Sequence, residues 1–201
     1  MPNRTLPAEA FVARHAEARV RLALTDTRIV AIVGPRQSGK TTLARRIAND
    51  EGRAFVSLDD DQSRRFAQDD PAGFVRGLRN VVIDEIQRAP NLILALKKEV
   101  DEHPDPGRYL ITGSVDLFRG AVSPDSLAGR VETVELLPFS QAEIAGAAPP
   151  RLLDRAFAGD FPAIEETGPT ADLVERAVAG GYPAALARAA ASRRRSWLRA
   201  Y

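Results

Sequence analysis

The sequence of 201 residues contains no cysteine, one methionine and one tryptophan. Without cysteine the chain cannot form a disulfide, present a thiolate nucleophile, or bind zinc or an iron–sulfur cluster through thiolates. Lysine is also scarce, since only Lys40, Lys97 and Lys98 stand among the 28 basic residues and the others are arginine. The position of each lysine is therefore informative.

Long hydrophobic runs and a large net charge are absent as well. Hydrophobic residues make up 44% and charged residues 27% of the chain, and the formal net charge is +1. These values are typical of a globular protein and argue against a disordered chain, a polybasic membrane binder or a general nucleic-acid coat protein. No run approaches the roughly 20 apolar residues of a membrane helix, and the amino terminus lacks the apolar segment of a signal peptide. The sequence therefore predicts a soluble protein without a membrane partner, most simply in the cytoplasm.

Short β-rich runs alternate with segments of helical character over the first two thirds of the chain. Five runs predict strands: Ile29–Val33, Ala54–Leu58, Val81–Ile83, Tyr109–Ile111 and Val131–Leu137. The first four are almost entirely apolar, as expected for strands covered on both faces. We predict helices for 41–50 and 91–103, and such alternation is typical of a mainly parallel sheet. The predicted fold class is α/β, with a three-layer core around a five-stranded sheet.

The two ends of the chain have a different character. Apolar residues recur every four positions from Val12 to Leu24, so we expect an amphipathic helix over 8–24 that leads into the first strand. Residues 139–201 are rich in alanine and interrupted by proline and glycine, which favours several short helices. The predicted domains are a core over 1–138 and a small helical region over 139–201.

One segment carries a phosphate-binding signature. The residues Gly34-Pro35-Arg36-Gln37-Ser38-Gly39-Lys40-Thr41, followed by Thr42, match G-x-x-x-x-G-K-[ST] between an apolar strand and a predicted helix. The glycines allow successive backbone N–H groups to point at phosphate oxygens, and the following helix presents its positive end to the same anion. Lys40 can reach the β- and γ-phosphates, and the Thr41 hydroxyl can bind Mg²⁺. The segment therefore predicts a P-loop that binds a nucleoside triphosphate with Mg²⁺.

Two acidic residues follow the strand at Val81–Ile83. Asp84 and Glu85 stand at the edge where parallel sheets bind ligands. We predict that Asp84 holds Mg²⁺ through water and that Glu85 is the general base for water attacking the γ-phosphate. An apolar run that ends in two acids is common on its own, so the interpretation depends on the P-loop upstream.

The strand at Tyr109–Ile111 also ends in small polar residues. If this strand lies between the P-loop strand and the Asp84 strand, Thr112 or Ser114 could hydrogen-bond to the γ-phosphate or to the attacking water. The alternative is that Ser114 caps a helix containing Val115–Phe118. We favour the phosphate-sensing function, and the sequence does not separate Thr112 from Ser114.

Five segments, taken in order, resemble the AAA-type ATPase domain of a large group of bacterial and archaeal predicted ATPases. They are GPRQSGKTTL, VVIDEIQRAP, YLITGS, SLAGRVETVELLPFS and GGYPAAL. The resemblance extends from about Arg28 to the end of the chain and implies a P-loop NTPase core with a strand inserted between the two nucleotide-binding strands. It implies ATP binding through Gly34–Thr42, magnesium coordination near Thr41 and Asp84, and hydrolysis through Glu85.

The same resemblance identifies features whose function it does not settle. Gln87 and Arg130 match the family pattern without an assigned function. The family continues into a separate C-terminal domain, so we expect that domain to be largely missing here and 139–201 to form a helical lid and the start of it. A protein or nucleic-acid client would then bind through the missing domain.

Three features have both a functional and an ordinary interpretation. Arg130 could act as an arginine finger, in its own subunit or in a neighbouring subunit of a homo-oligomer, or form an ordinary ion pair, and Arg119 is a weaker candidate for the same function. Arg36 could contact phosphate or face solvent. The acids Asp59–Asp61 could bind a metal, although a helix start with acids in its first turn is the simpler interpretation.

Magnesium-dependent ATP hydrolysis coupled to conformational change is the leading hypothesis. The alternative from another class is a nucleotide-dependent switch or adaptor that binds ATP with little hydrolysis of its own. A GTPase is disfavoured because neither Lys97 nor Lys98 stands in the N-K-x-D pattern that recognises guanine. A small-molecule kinase is disfavoured because the alanine-rich region after residue 139 does not indicate an arginine-rich lid.

Overall fold

The computed structural model describes residues 11–114, 127–149, 151–160 and 170–201. The chain separates into two compact units. Ala16–Leu137 forms the larger unit, and the residues before and after it form the smaller one. The larger unit contains the P-loop segment and all five strands.

A parallel sheet forms the centre of the larger unit. Its strands are β1 (Ile29–Val33), β2 (Ala54–Ser57), β3 (Val81–Asp84), β4 (Tyr109–Gly113) and β5 (Val131–Glu135). They lie in the order β2-β3-β4-β1-β5, and every neighbouring pair is parallel. The α/β fold class is therefore confirmed, as is the insertion of a strand between the P-loop strand and the Asp84 strand.

Helices cover both faces of this sheet. They are α1 (Ala16–Ala23), α2 (Lys40–Glu51), α3 (Asp61–Asp69), α4 (Pro71–Arg76) and α5 (Leu92–Glu102), with a 3-10 turn at Ile86–Arg88. Alternate residues of β1 divide between the two faces. Ile29 and Ala31 pack in the cluster that contains α4 and α5, whereas Val30 and Ile32 pack in the cluster that contains α1 and α2. All of β1 is buried, which explains why its sequence is continuously apolar.

The smaller unit is helical in its described residues. Its helices are α6 (Gln141–Ala145), α7 (Leu152–Phe157), α8 (Thr170–Ala179), α9 (Pro183–Leu186) and α10 (Ala191–Ala200). Near the end of the chain the rings of Tyr182, Trp197 and Tyr201 pack on one another, with centroids 4.9–5.6 Å apart. Within the described ranges, no helix of either unit is long and apolar enough to cross a membrane.

The first helix is shorter than predicted. A helix was expected over 8–24, but α1 begins at Ala16 and the described residues before it are not helical. The backbone N–H of His15 instead donates to Glu143 Oε1 at 2.8 Å. Val12 packs against the apolar cluster of the smaller unit. The four-residue spacing of apolar residues is therefore misleading before Ala16, because contacts with residues far along the chain determine the backbone there.

Candidate functional site

Three adjacent strands bring polar side chains to the carboxyl edge of the sheet. The P-loop follows β1, β3 ends in Asp84, and β4 between them carries Thr112. On the other side of β3, Ser57 of β2 lies in register with Asp84. The sheet order therefore assembles residues that lie as far apart in the sequence as Gly34 and Thr112.

The P-loop backbone turns tightly before α2. Gln37 has φ 59°, and Gly39, which precedes the first helical residue, has φ 98°. Left-handed residues in a tight loop are typical of backbone nests that bind anions, and the helix start adds a positive end. At Gly34 a built Cβ would lie 2.2 Å from the carbonyl oxygen of Leu136, so only glycine allows this approach. The loop fits a phosphate chain.

Lys40 is buried at the start of α2. Its Nζ donates to the carbonyl oxygens of Gly34 at 3.0 Å and Pro35 at 2.8 Å. Burial lowers the pKa of Lys40 and the charge of Arg36 adds to this, while the two acids at the end of β3 act in the opposite direction. Across the described ranges no carboxylate forms an ion pair with Nζ, so a phosphate at the loop would supply the missing counter-charge.

Asp84 is 2% exposed and accepts hydrogen bonds from hydroxyl groups of neighbouring elements. Thr112 Oγ1 donates to its Oδ1 at 2.6 Å, and Thr41 Oγ1 lies 3.0 and 3.1 Å from the two carboxylate oxygens. Ser57 Oγ lies 3.4 Å from Oδ2. A carboxylate beside a hydroxyl is the oxygen donor set that Mg²⁺ prefers, so Thr41 and Asp84 fit this ion.

Glu85 follows Asp84 in a left-handed conformation, with φ 60°. Its backbone N–H donates to Thr112 Oγ1 at 3.0 Å, so one threonine hydroxyl contacts both acids. The side-chain amide of Gln87 donates to Glu85 Oε2. The carboxylate that we predict to be the general base is therefore held from the 3-10 turn that follows it.

The structure distinguishes Thr112 from Ser114. Thr112 is fully buried and contacts Asp84 and Glu85, whereas Ser114 is half-buried beyond the end of β4. The helix suggested for Val115–Phe118 lies outside the described residues. Thr112 is therefore the residue of this pair that the fold joins to the acids.

Arg130 lies at the opposite edge of the sheet from the P-loop of its own chain. Its carbonyl oxygen accepts from the N–H of Ile29, the first residue of β1, whereas the P-loop follows the last residue of that strand. Five strand residues span roughly 16 Å. The guanidinium forms an ion pair with Asp101 at 2.6 Å. The structure therefore does not bring Arg130 to this site within one chain, and Arg119 lies outside the described residues.

The remaining P-loop residues differ in exposure. Ser38 is fully buried, Pro35 is half-buried, and Arg36 and Thr42 are exposed. The charge of Arg36 reaches the site, since it contributes to the lowered pKa of Lys40.

Each of the three consecutive acids after β2 has a separate contact. Asp60 caps α3 by accepting from the N–H of Ser63, and this hydrogen bond lowers the pKa of Asp60. Asp59 forms an ion pair with Arg88, and Asp61 forms one with Arg64. These contacts agree with a helix start. Ser57 is the nearby residue that the sequence pattern does not identify, and its place at the end of a predicted strand is the signal that could have found it.

Comparisons with known proteins agree with this architecture. The sequence profile of an AAA domain family matches residues 26–145. Two uncharacterized proteins, from Mycobacterium tuberculosis and Mycobacterium bovis, are each 38% identical over 141 residues, which is 69% of this chain and 32% of theirs. The chain therefore spans about a third of the length of these relatives. A shikimate kinase from Acinetobacter baylyi is 31% identical over 97 residues, 44% of this chain and 53% of the kinase.

A solved structure shares the fold. The Holliday junction branch migration motor RuvB of Thermotoga maritima superposes with a TM-score of 0.51 at 21% identity, covering 98% of this chain and 66% of that protein. At this identity the likeness concerns the fold alone. The family match, the fold and the geometry of the loop together support a nucleotide-binding site at the carboxyl edge of the sheet.

Proposed function

Because this chain belongs to the AAA domain family, we propose that it is a magnesium-dependent ATPase domain whose hydrolysis is coupled to conformational change. The observation that carries the proposal is the contact of Thr41 Oγ1 with both oxygens of Asp84, at 3.0 and 3.1 Å. This contact joins the end of the P-loop to the acidic strand, as a shared site for phosphate and magnesium requires.

Each side chain of the site has its own function in the proposed phosphoryl transfer. Lys40 would exchange its bonds to two loop carbonyls for phosphate oxygens. Thr41 would bind magnesium, and Asp84 would hold the ion through water. Magnesium, when bound, neutralises charge on the β- and γ-phosphates. Glu85 accepts a proton from the attacking water, and Thr112 keeps Asp84 and the backbone of Glu85 in register.

A nucleotide-dependent switch that binds ATP with little hydrolysis is the second candidate. It is favoured by the position of Arg130, which pairs with Asp101 at the far edge of the sheet. Arginine fingers accelerate such reactions by about 10³- to 10⁵-fold. A chain that lacks one in its own site would hydrolyse ATP slowly unless a neighbouring subunit supplied it.

Phosphate release from ATP and from GTP, with Mg²⁺, tests the proposal. Lys40→Ala is expected to weaken ATP binding by about 10- to 100-fold, because a charged donor to phosphate is lost. Glu85→Gln is expected to bind ATP normally and to lose about 10²- to 10⁴-fold in turnover, because the amide cannot accept the proton. Binding is measured by calorimetry and turnover by phosphate release.

Two exposed residues provide matched controls. Lys98→Ala and Glu102→Gln change the same residue types on α5, where both side chains are exposed, and should leave binding and turnover unchanged. Wild-type protein that binds ATP but releases no phosphate at any protein concentration would support the switch instead. Tighter binding of GTP than of ATP would contradict the adenine assignment.

A further inference from the structure

Gln87 contacts the carboxylate of Glu85, whereas Thr112 contacts the backbone N–H of that residue. Gln87 lies in the 3-10 turn that begins directly after Glu85, and its Nε2 donates to Glu85 Oε2. An ionised carboxylate only accepts hydrogen bonds, so the amino group of the Gln87 amide must be the part that faces it. This contact orients the carboxylate of Glu85.

The other end of the same amide is an unused acceptor. Gln87 Oε1 is buried and accepts no hydrogen bond from any residue of the described ranges. A buried acceptor without a donor destabilises the fold, so such atoms are rare unless a water or ligand completes them. The amide therefore holds the general base at one end and offers a place for a donor at the other.

The backbone on which this pair is built is also held. Glu85 adopts the left-handed conformation, its N–H donates to Thr112, and its carbonyl oxygen accepts from the N–H of Arg88 at 3.0 Å. A strained residue that its surroundings hold in place is typical of preorganised sites.

We infer that Gln87 is a catalytic residue for ATP hydrolysis, an inference that rests on the proposed function. Its Nε2 orients the carboxylate of Glu85, and its Oε1 accepts a hydrogen bond from the attacking water. The water gives one proton to Glu85 while its oxygen bonds to the γ-phosphorus. The bond from that phosphorus to the β–γ bridging oxygen breaks, and ADP and phosphate leave.

Substitution of Gln87 by methionine tests this inference at nearly constant volume. Gln87→Met is expected to lower kcat by about 10- to 100-fold, because the base and the water are no longer aligned. The Kd for ATP should stay within about 2-fold, since Gln87 is not proposed to contact ATP. Gln87→Glu, which places a second carboxylate beside Glu85, should lower kcat at least as much without changing the size of the side chain.

Gln68→Met is the matched control. The side-chain amide of Gln68, on α3, donates to the carbonyl oxygen of Arg88 in the same 3-10 turn. The substitution removes this hydrogen bond, and Gln68 makes no hydrogen bond to Glu85. A loss of kcat in Gln87→Met that is also seen in Gln68→Met would mean that the turn, and not the orientation of Glu85, was disturbed. That result would overturn the inference.

A measurement without nucleotide tests the contact itself. Gln87→Met and Glu85→Gln each disturb the same hydrogen bond, so their effects on the melting temperature of the nucleotide-free protein should not add. The double variant should melt within about 1 °C of the less stable single variant, where a full hydrogen bond corresponds to about 2–4 °C. Additive shifts would show that the two side chains do not interact.

The kinetic outcomes separate this inference from the proposed function. Turnover in the wild type with unchanged or increased kcat in Gln87→Met overturns the inference alone. No turnover in the wild type at any protein concentration overturns the proposed function and this inference with it. Lower kcat with unchanged ATP affinity, combined with non-additive melting shifts, supports both.

Discussion

Asp84 depends on hydroxyl groups for its orientation. Thr112 of β4 donates to it at 2.6 Å and Thr41 of α2 at 3.0 Å, and within the described ranges no arginine or lysine forms an ion pair with it. Hydroxyl groups therefore hold the carboxylate, and Lys40 interacts with its charge without forming an ion pair. This suits a residue whose proposed partner is a divalent cation.

Gly34→Ala is expected to destabilise the larger unit and weaken ATP binding. The new Cβ would lie 2.2 Å from the backbone oxygen of Leu136, so the P-loop or the segment after β5 must move. Overpacking of this kind costs about 1–3 kcal/mol. The free energy of unfolding in urea, followed by circular dichroism, and the ATP affinity measure the two effects.

Gly77→Ala is the control for this prediction. Its φ is −74° and the nearest atom to a built Cβ lies 3.8 Å away, so the stability should be unchanged or slightly higher. A Gly34→Ala variant with the same free energy of unfolding and the same ATP affinity as wild type would contradict the prediction. That result would show that the backbone near Leu136 moves at little cost in free energy.

At the scale of secondary structure elements, the position of β4 determines the site. Ile32 of β1 lies in register with Thr112, and Ile83 of β3 lies in register with Ile111. Thr112 follows Ile111 on β4 as Asp84 follows Ile83 on β3. Thr112 and Asp84 therefore lie side by side on neighbouring strands. The inserted strand thus brings the Thr112 hydroxyl to Asp84 and to the backbone of Glu85.

Glu143 fixes the helix start of α6 in the smaller unit. It completes a capping box with Ser140, and it also accepts from the N–H of His15 at 2.8 Å and from Arg14 Nε at 3.2 Å. Burial acts to raise the pKa of Glu143, but the hydrogen bonds from Ser140 and His15 and the charge of Arg14 outweigh it, so the pKa is lowered.

Glu143→Gln is expected to lower the stability of the smaller unit by about 1–3 kcal/mol at pH 7, because Arg14 loses its buried partner. A lowered carboxyl pKa stabilises the fold above the ordinary value of 4.5 and ceases to do so as the pH falls through the folded-state value. The difference between wild type and variant should therefore shrink below about pH 4.5. The fluorescence of the single tryptophan, Trp197, follows unfolding of this unit.

Glu175→Gln, at an exposed position of α8 in the same unit, is the control. It should leave both the stability at pH 7 and its pH dependence unchanged. A constant difference between Glu143→Gln and wild type from pH 7 to pH 3 would contradict the electrostatic explanation.

At the scale of the whole molecule, the two edges of the sheet have different chemistry. The carboxyl edge carries the P-loop and the two acids, while the amino edge carries Arg130 and Arg28 near Asp101. The ion pair with Arg130 and the charge of Arg28 lower the pKa of Asp101. The amino edge thus has an ordinary ion-pair cluster, and no phosphate-binding feature of this chain lies beside it in the described residues.

Arg130→Ala is expected to leave the ATP affinity of dilute protein within about 2-fold of wild type, because Arg130 lies roughly 16 Å from the P-loop. Calorimetry or fluorescence titration of ATP measures this. Arg28→Ala, at the same edge and near the same aspartate, should also leave the ATP affinity within about 2-fold of wild type. A 10-fold or greater loss of affinity in dilute Arg130→Ala alone would contradict the structural position of this arginine.

A dilution series addresses a finger supplied by a second copy of the chain. If a neighbouring subunit supplies Arg130, turnover per chain falls on dilution and Arg130→Ala removes that dependence. Turnover per chain that does not change with dilution would argue against a trans-acting arginine.

Much of the larger unit follows from local sequence patterns. Continuous apolar runs mark strands buried on both faces, and the predicted limits of all five strands agree with the structure to within two residues. The P-loop is equally local, because the φ values at Gln37 and Gly39 and the start of α2 lie within one short segment. Strand burial and loop conformation of this kind depend on residues that are neighbours in the sequence, so a local pattern is enough to predict them.

The segment before Ala16 shows where local patterns fail. Its spacing predicts a helix, yet the backbone there bonds to Glu143, 128 positions away from His15. A helix of this length is marginal by itself, so one long-range hydrogen bond and an apolar cluster can decide the conformation.

The sequence by itself determined the fold class, the P-loop and the two acids at the end of the β3 segment, because strand burial, loop conformation and helix starts depend on neighbouring residues. Only the tertiary structure decided that Thr112 rather than Ser114 joins the acids, that Gln87 holds Glu85, and that Arg130 lies at the far edge of the sheet. Two of these contacts depend on strand order and register, which bring together residues distant in the chain. The third depends on the rotamers of two side chains, which a residue pattern does not specify.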